Sequence, residues 1–200
     1  MPRWSSRPPF DPAARHWLTA PGSLTAHLQS TCEAGVAVQR TRQGTSPLLF
    51  DERLALPAPA ATRAHAREVV LRCDGTPVVY ARSVVRAVQV RGAWRSLVGL
   101  GTRPLAQLLF QQRHVERVSL GYARLPRCGP LRRHLERAWR EATGDPPPAG
   151  PWWARRARYT RQRAPLLLME VFSPLVLSRR SRLAMGTGGG RAGRQQPLRR

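Results

Sequence analysis

Two residues of this 200-residue chain place a charge where the surrounding pattern is apolar, and chemistry is expected to rest on them. In Arg67-Glu68-Val69-Val70-Leu71-Arg72-Cys73, strand alternation puts Arg67, Val69 and Leu71 on one face and Glu68, Val70 and Arg72 on the other. An arginine among apolar neighbours either snorkels its charge to water at an edge or lines a pocket, where its planar fork grips a carboxylate through two bonds. Glu170 is the single charge in Pro165-Leu166-Leu167-Leu168-Met169-Glu170-Val171-Phe172, the most apolar strand in the chain. A carboxylate in that setting needs an arginine neighbour or a proton. Structural ion pairing and a functional role both satisfy this need, and the pattern alone leaves the two open.

Other catalytic patterns are missing from the sequence. His16, His27, His65, His114 and His134 make no HExxH or paired metal spacing, no GxSxG occurs, and the glycines at 186–190 follow no strand pattern that would make them a phosphate loop. No metal and no cofactor is expected. Cys32, Cys73 and Cys128 are scattered, odd in number and never spaced as CxxC, which argues against a disulfide framework and points to a reducing cytoplasm. The start of the chain has no apolar stretch of the signal-peptide kind, and no run approaches the ~20 apolar residues of a membrane span.

Charge is a weaker guide than its size suggests. The chain carries 34 basic and 11 acidic residues, a net +23, and all 34 basic residues are arginine. Lysine, isoleucine and asparagine are absent. These three share A/T-rich codons, so G/C-rich coding accounts for the arginine excess without a nucleic-acid partner. Few aromatics alternate with the arginines outside 152–159, which gives base stacking little support. An RNA- or DNA-binding role is therefore the least favoured of the readings, and no specific nucleic-acid partner is expected.

The elements that must position Arg67 and Glu170 are mostly strands. Two valine-rich runs, 67–73 and 77–85, flank Asp74-Gly75, a pair that tolerates positive φ and predicts a hairpin. Further strands are expected at about 35–42, 115–124, 154–162 and 165–172, the last two joined by a turn near 162–165. Asp11 with Pro12, and Ser23 ahead of Leu24 and Leu28, read as helix starts. A short helix at 104–110 and a longer one at 130–143, ended by Gly144 and Pro146-Pro147-Pro148, complete an α+β fold: a single antiparallel sheet of about six strands with helices packed on it. The expected organisation is a flexible N-terminus at 1–11, one domain at 12–176, and a basic flexible tail at 177–200. From Ser178 onward that tail has seven arginines and no acid.

Taken in order, Arg67-Glu68-Val69-Val70-Leu71, Asp74-Gly75, Ala81-Arg82-Ser83-Val84-Val85, Leu100-Gly101-Thr102-Arg103-Pro104-Leu105 with Leu109-Phe110, and Trp153-Ala154-Arg155-Arg156-Ala157-Arg158 followed by 165–172 resemble the chorismate pyruvate-lyase family. Ser23-Leu24-Thr25 resembles its short N-terminal ligand-contact segment. The sequence departs from the family pattern in having Arg86 where a proline typically follows the segment matching Val85. It also has a stretch at about 125–152 that reads as an insertion, with Arg132, Arg133, Arg137 and Arg140 on a polar side. The helix and the tail are both expected outside the catalytic core.

The resemblance implies a cofactor-free enzyme that cleaves chorismate into 4-hydroxybenzoate and pyruvate for ubiquinone synthesis; a cytoplasmic monomer is expected. It implies that Arg67 and Glu170 are side-chain ligand contacts and that Leu24 and Leu105 belong to the ligand-binding segments. Arg67 is assigned to carboxylate binding. Glu170 is assigned to a polar contact at the ring-oxygen end or to proton transfer. The alternative is a non-catalytic effector-binding domain of the same fold, as carried by bacterial transcription regulators. Residues 1–60 are too proline-rich to supply comfortably the helix-turn-helix such regulators need.

Overall fold

The computed structural model describes residues 1–56, 59, 62–111 and 114–179. In chain order the elements are α1 (Pro12–Leu18), α2 (Leu24–Gln29), β1 (Val36–Pro47), α3 (Phe50–Ala55), β2 (Arg63–Cys73), β3 (Thr76–Arg86), a 3-10 turn (Ala87–Arg91), α4 (Arg95–Val98), α5 (Leu105–Gln111), β4 (Glu116–Arg124), α6 (Pro130–Thr143), β5 (Trp153–Arg161), β6 (Ala164–Phe172) and α7 (Pro174–Leu177). The six strands form one antiparallel sheet in the order β1-β2-β3-β6-β5-β4. The α+β architecture and every strand expected from the sequence are present.

Local chemistry explains the joints. Asp74 and Gly75 adopt φ of 52° and 77°, the left-handed pair that a two-residue hairpin requires. Gln162 and Arg163 make the corresponding turn between β5 and β6 with φ of 50° and 63°, although neither is glycine. The Asp11 side chain accepts from Ala14 N at 2.9 Å to cap α1, and Ser23 caps α2 through Ala26 N at 3.4 Å.

The sheet is covered on both faces. One face carries Val69 and Leu71 of β2, Ala81 of β3 and Phe172 of β6, packed against α1, α2 and α7. The other carries Val70, Tyr80, Ala154, Met169 and Val171, covered by Leu131, Leu135, Ala138 and Trp139 of α6. The stretch read as an insertion is thus an integral layer of the core, on the face opposite Arg67. That back face also buries ions: Arg82 bonds Glu52 at 2.6 Å and pairs with Glu68, while His134 of α6 reaches Glu68 at 3.3 Å and Tyr80 Oη at 3.1 Å. Short helices α3, α4 and α7 were not foreseen from the sequence.

Three further features differ from the expectations. Cys32 and Cys73 form a disulfide: the turn after α2 lands beside the end of β2, bringing two Cα atoms 41 residues apart in sequence to 5.4 Å. Cysteine spacing carries no sign of it, because the proximity is tertiary. At the N-terminus, Ser5 exchanges backbone hydrogen bonds of 2.9 and 2.8 Å with Tyr122, covering part of the β4 edge, and Trp4 lies under the Arg156 guanidinium at 4.2 Å. At the other end, the Arg179 carbonyl accepts from Trp17 Nε1 at 2.9 Å and its guanidinium donates to Thr31 O at 3.1 Å. Residues 180–200, most of the expected tail, lie outside the described residues. Among the described residues no helix is long and apolar enough to cross a membrane.

Candidate active site

The sheet face carrying Arg67 forms the floor of a cavity of about 740 Å³, counted with its mouth. Ala20, Gly22, Leu24 and Thr25 from the α1–α2 region wall one side, and Pro104, Leu105, Leu109 and Phe110 of α5 and its approach wall another. All four residues singled out from the sequence, Leu24, Arg67, Leu105 and Glu170, line this space. The floor is largely apolar, with Val69, Leu71, Ala81, Ala157 and Leu168 between the polar groups. Such a site excludes water and strengthens each remaining electrostatic contact.

Arg67 is 3% exposed and tethered by backbone carbonyls, not by an acid. Its Nη2 donates to Gly101 O at 3.0 Å and to Arg103 O at 2.9 Å, and its Nε donates to Gly101 O at 3.3 Å. Gly101 presents its carbonyl from a left-handed turn, φ 59°, which explains glycine at that position. Burial, and secondarily the neighbouring Arg40, pull the guanidinium down to about 10. A buried cation fixed by neutral dipoles, with no carboxylate partner among the described residues, has the charge and geometry to accept an anion.

Glu170 has an arginine neighbour, as its setting demanded, but the partner is Arg155 on β5. The register places Glu170 directly opposite Arg155, and Arg155 Nε bonds Glu170 Oε2. Arg155 Nη1 also donates to Ala20 O at 3.1 Å, which ties the chain ahead of α2 to the floor. Burial alone would lower the Arg155 pKa; the Glu170 carboxylate outweighs it and holds the guanidinium charged. Arg155 escaped the sequence reading because it stands in Arg155-Arg156-Ala157-Arg158, where nothing marks which arginine points inward.

Tyr159 and Arg117 add polar groups to the lining. Tyr159 on β5 is buried, and burial together with Glu170 pushes its hydroxyl up, against the pull of Arg155 and Arg117, so it remains a neutral donor. Arg117 reaches the cavity from β4. Elsewhere, Cys32, Cys73 and Asp74 bring potential metal-ligand atoms within 4.8 Å of one another. There the sulfurs are bonded to each other, and the Arg179 guanidinium sits 3.0 Å from Cys73 Sγ, an arrangement that disfavours a cation.

A sequence profile described as chorismate lyase matches residues 6–182. The chain belongs to the chorismate lyase family. A probable chorismate pyruvate-lyase of Albidiferax ferrireducens is 42% identical over 173 residues, 86% of this chain and 87% of that protein. One from Cupriavidus metallidurans is 38% identical over 200 residues, covering 96% of this chain and 89% of the relative. Among solved structures, the PhnF C-terminal domain matches with a TM-score of 0.53 at 12% identity, covering 76% of this chain and 89% of that one. That likeness is one of fold.

Proposed function

We propose that the chain is a chorismate pyruvate-lyase, cleaving chorismate to 4-hydroxybenzoate and pyruvate without a metal or redox cofactor. The observation that carries this reading is Arg67: a guanidinium tethered by carbonyls, unneutralised, at the wall of an apolar cavity in a member of the chorismate lyase family. The reaction breaks the bond from the ring to the ether oxygen and removes a proton from the adjacent ring carbon. The ring becomes aromatic, and the departing enolpyruvate takes up a proton to become pyruvate. Aromatisation supplies the driving force, so the protein's task is to bind the anion, hold the ether in a reactive geometry away from water and stabilise charge on the leaving oxygen.

In this reading Arg67 grips the ring carboxylate through Nη1, the nitrogen not engaged by Gly101 or Arg103. Glu170, held on Oε2 by Arg155, offers Oε1 to the ring hydroxyl. Leu24 and Leu105 close over the ring from opposite walls. The protein acts as a cytoplasmic monomer, and its 4-hydroxybenzoate feeds ubiquinone synthesis, the route that the family resemblance implies. A non-catalytic effector-binding domain would bind the ligand and leave it intact. Following chorismate loss by its ultraviolet absorbance with catalytic amounts of protein separates the two: sustained turnover supports the lyase, and saturable binding without turnover refutes it.

A further inference from the structure

The cavity contains more positive charge than one carboxylate requires. Arg155 is neutralised by Glu170, whereas neither Arg67 nor Arg117 has an acid within ion-pair distance among the described residues. Two uncompensated guanidinium groups therefore face one apolar space.

The backbone has a device that puts the second one there. Arg117 pairs with Tyr159, but Ser119 pairs with Arg158 and Leu120 with Ala157, so one extra residue, Val118, bulges out of β4. In an unbroken strand, residues 117 and 120 would face opposite sides of the sheet. The bulge brings both onto the face of Tyr159 and Ala157, and both line the cavity. Val118 itself is 49% exposed. Arg117 is exposed, and the register sets it directly across from the buried Tyr159.

We propose that Arg117, turned to the cavity by the Val118 bulge, forms a second carboxylate subsite at the cavity mouth that takes the enolpyruvyl carboxylate of chorismate. The inference rests on the chorismate-lyase reading and deepens it. Arg67 holds the carboxylate that substrate and aromatic product share, so it contributes to the affinity of both. Arg117 holds the carboxylate that leaves with pyruvate, so it contributes to substrate affinity and is released at product formation. A dianion thus bridges the buried guanidinium and the rim guanidinium, and the ether bond lies between the two anchors.

The test is Arg117→Gln, measured side by side with Arg67→Gln. Loss of one charge-assisted contact at a partly wet site corresponds to roughly tenfold in binding. For Arg117→Gln the expected result is a KM for chorismate raised about tenfold, with kcat within about twofold and a Kd for 4-hydroxybenzoate unchanged. Arg67→Gln is expected to weaken chorismate and 4-hydroxybenzoate together. Tyr159→Phe, which removes only the hydroxyl of the residue paired with Arg117, is expected to show a smaller rise in KM of the same selectivity. Equal loss of both ligands in Arg117→Gln, or no change in either, overturns the subsite while leaving the lyase reading intact. Absence of chorismate turnover in the unmodified protein is a different outcome and overturns the lyase reading itself.

Discussion

Arg67 and Glu170 project into one cavity from β2 and β6, with β3 between them, and neither touches the other. The register sets Val69 opposite Ala81 and Ala81 opposite Glu170, so Glu170 lies two strands across and two residues along from Arg67. Strand spacing and rise convert that offset to roughly 12 Å between Cα atoms, a span a six-membered ring with its substituents can bridge. Each residue has its own support: carbonyls of Gly101 and Arg103 for Arg67, and Arg155 for Glu170. The site is built as two separately anchored poles with an apolar floor between them.

Arg67→Lys should weaken 4-hydroxybenzoate binding by about tenfold or more, even though the charge is kept. An ammonium cannot satisfy the carbonyls of Gly101 and Arg103 from one planar group and still present a directed nitrogen to the ligand. Calorimetric titration of the folded variant checks this. Unchanged affinity would remove Arg67 as the carboxylate anchor.

Glu170→Gln should lower kcat by tenfold or more, with a smaller effect on the Kd for 4-hydroxybenzoate. Because Arg155 is then left as an unpaired buried cation, the variant should also be less stable. Replacing both residues, Glu170→Gln with Arg155→Met, should recover thermal stability and leave turnover low. Full turnover in the single variant would exclude Glu170 from the mechanism; recovery of turnover in the double variant would mean the effect was structural.

How much of this was legible in the sequence follows from range. The β2–β3 hairpin could be read because valine runs and an Asp-Gly pair act locally, and alternation placed Arg67 on the cavity face. Arg155 and Arg156 could not be told apart, since they point to opposite faces: Arg155 to Glu170, Arg156 to Asp51 at 3.3 Å on the back. Arg117 was hidden by the bulge, which breaks the period on which face assignment depends. The Cys32–Cys73 bond and the Arg82, Glu52 and Glu68 cluster join residues distant in sequence, and no local pattern encodes them.

The back-face cluster predicts a particular acid response. Burial would raise the Glu68 pKa, but the His134 hydrogen bond and Arg82 outweigh it and hold the carboxylate at about 2 against an ordinary 4.5. The folded state therefore favours the ionised form, a stabilisation present above pH 4.5 and lost as pH falls toward 2. Urea midpoints measured across this window should fall more steeply for the unmodified protein than for Glu68→Gln. Parallel curves would contradict the assignment.

Closing a loop of 41 residues by the Cys32–Cys73 bond should contribute about 4 kcal/mol on the chain-entropy account. Reductant should lower the urea midpoint of the unmodified protein and leave Cys32→Ser unaffected. A midpoint insensitive to reductant in both would mean that the bond does not form in solution.

Chorismate cleavage itself can be measured by incubating the purified full chain with chorismate in the presence of a chelator and quantifying both products against time. A chorismate pyruvate-lyase yields 4-hydroxybenzoate and pyruvate in equal amounts, each matching the chorismate consumed, over many turnovers per protein molecule. Chorismate left intact, products in unequal amounts, or activity that returns only when a divalent cation is restored would contradict it.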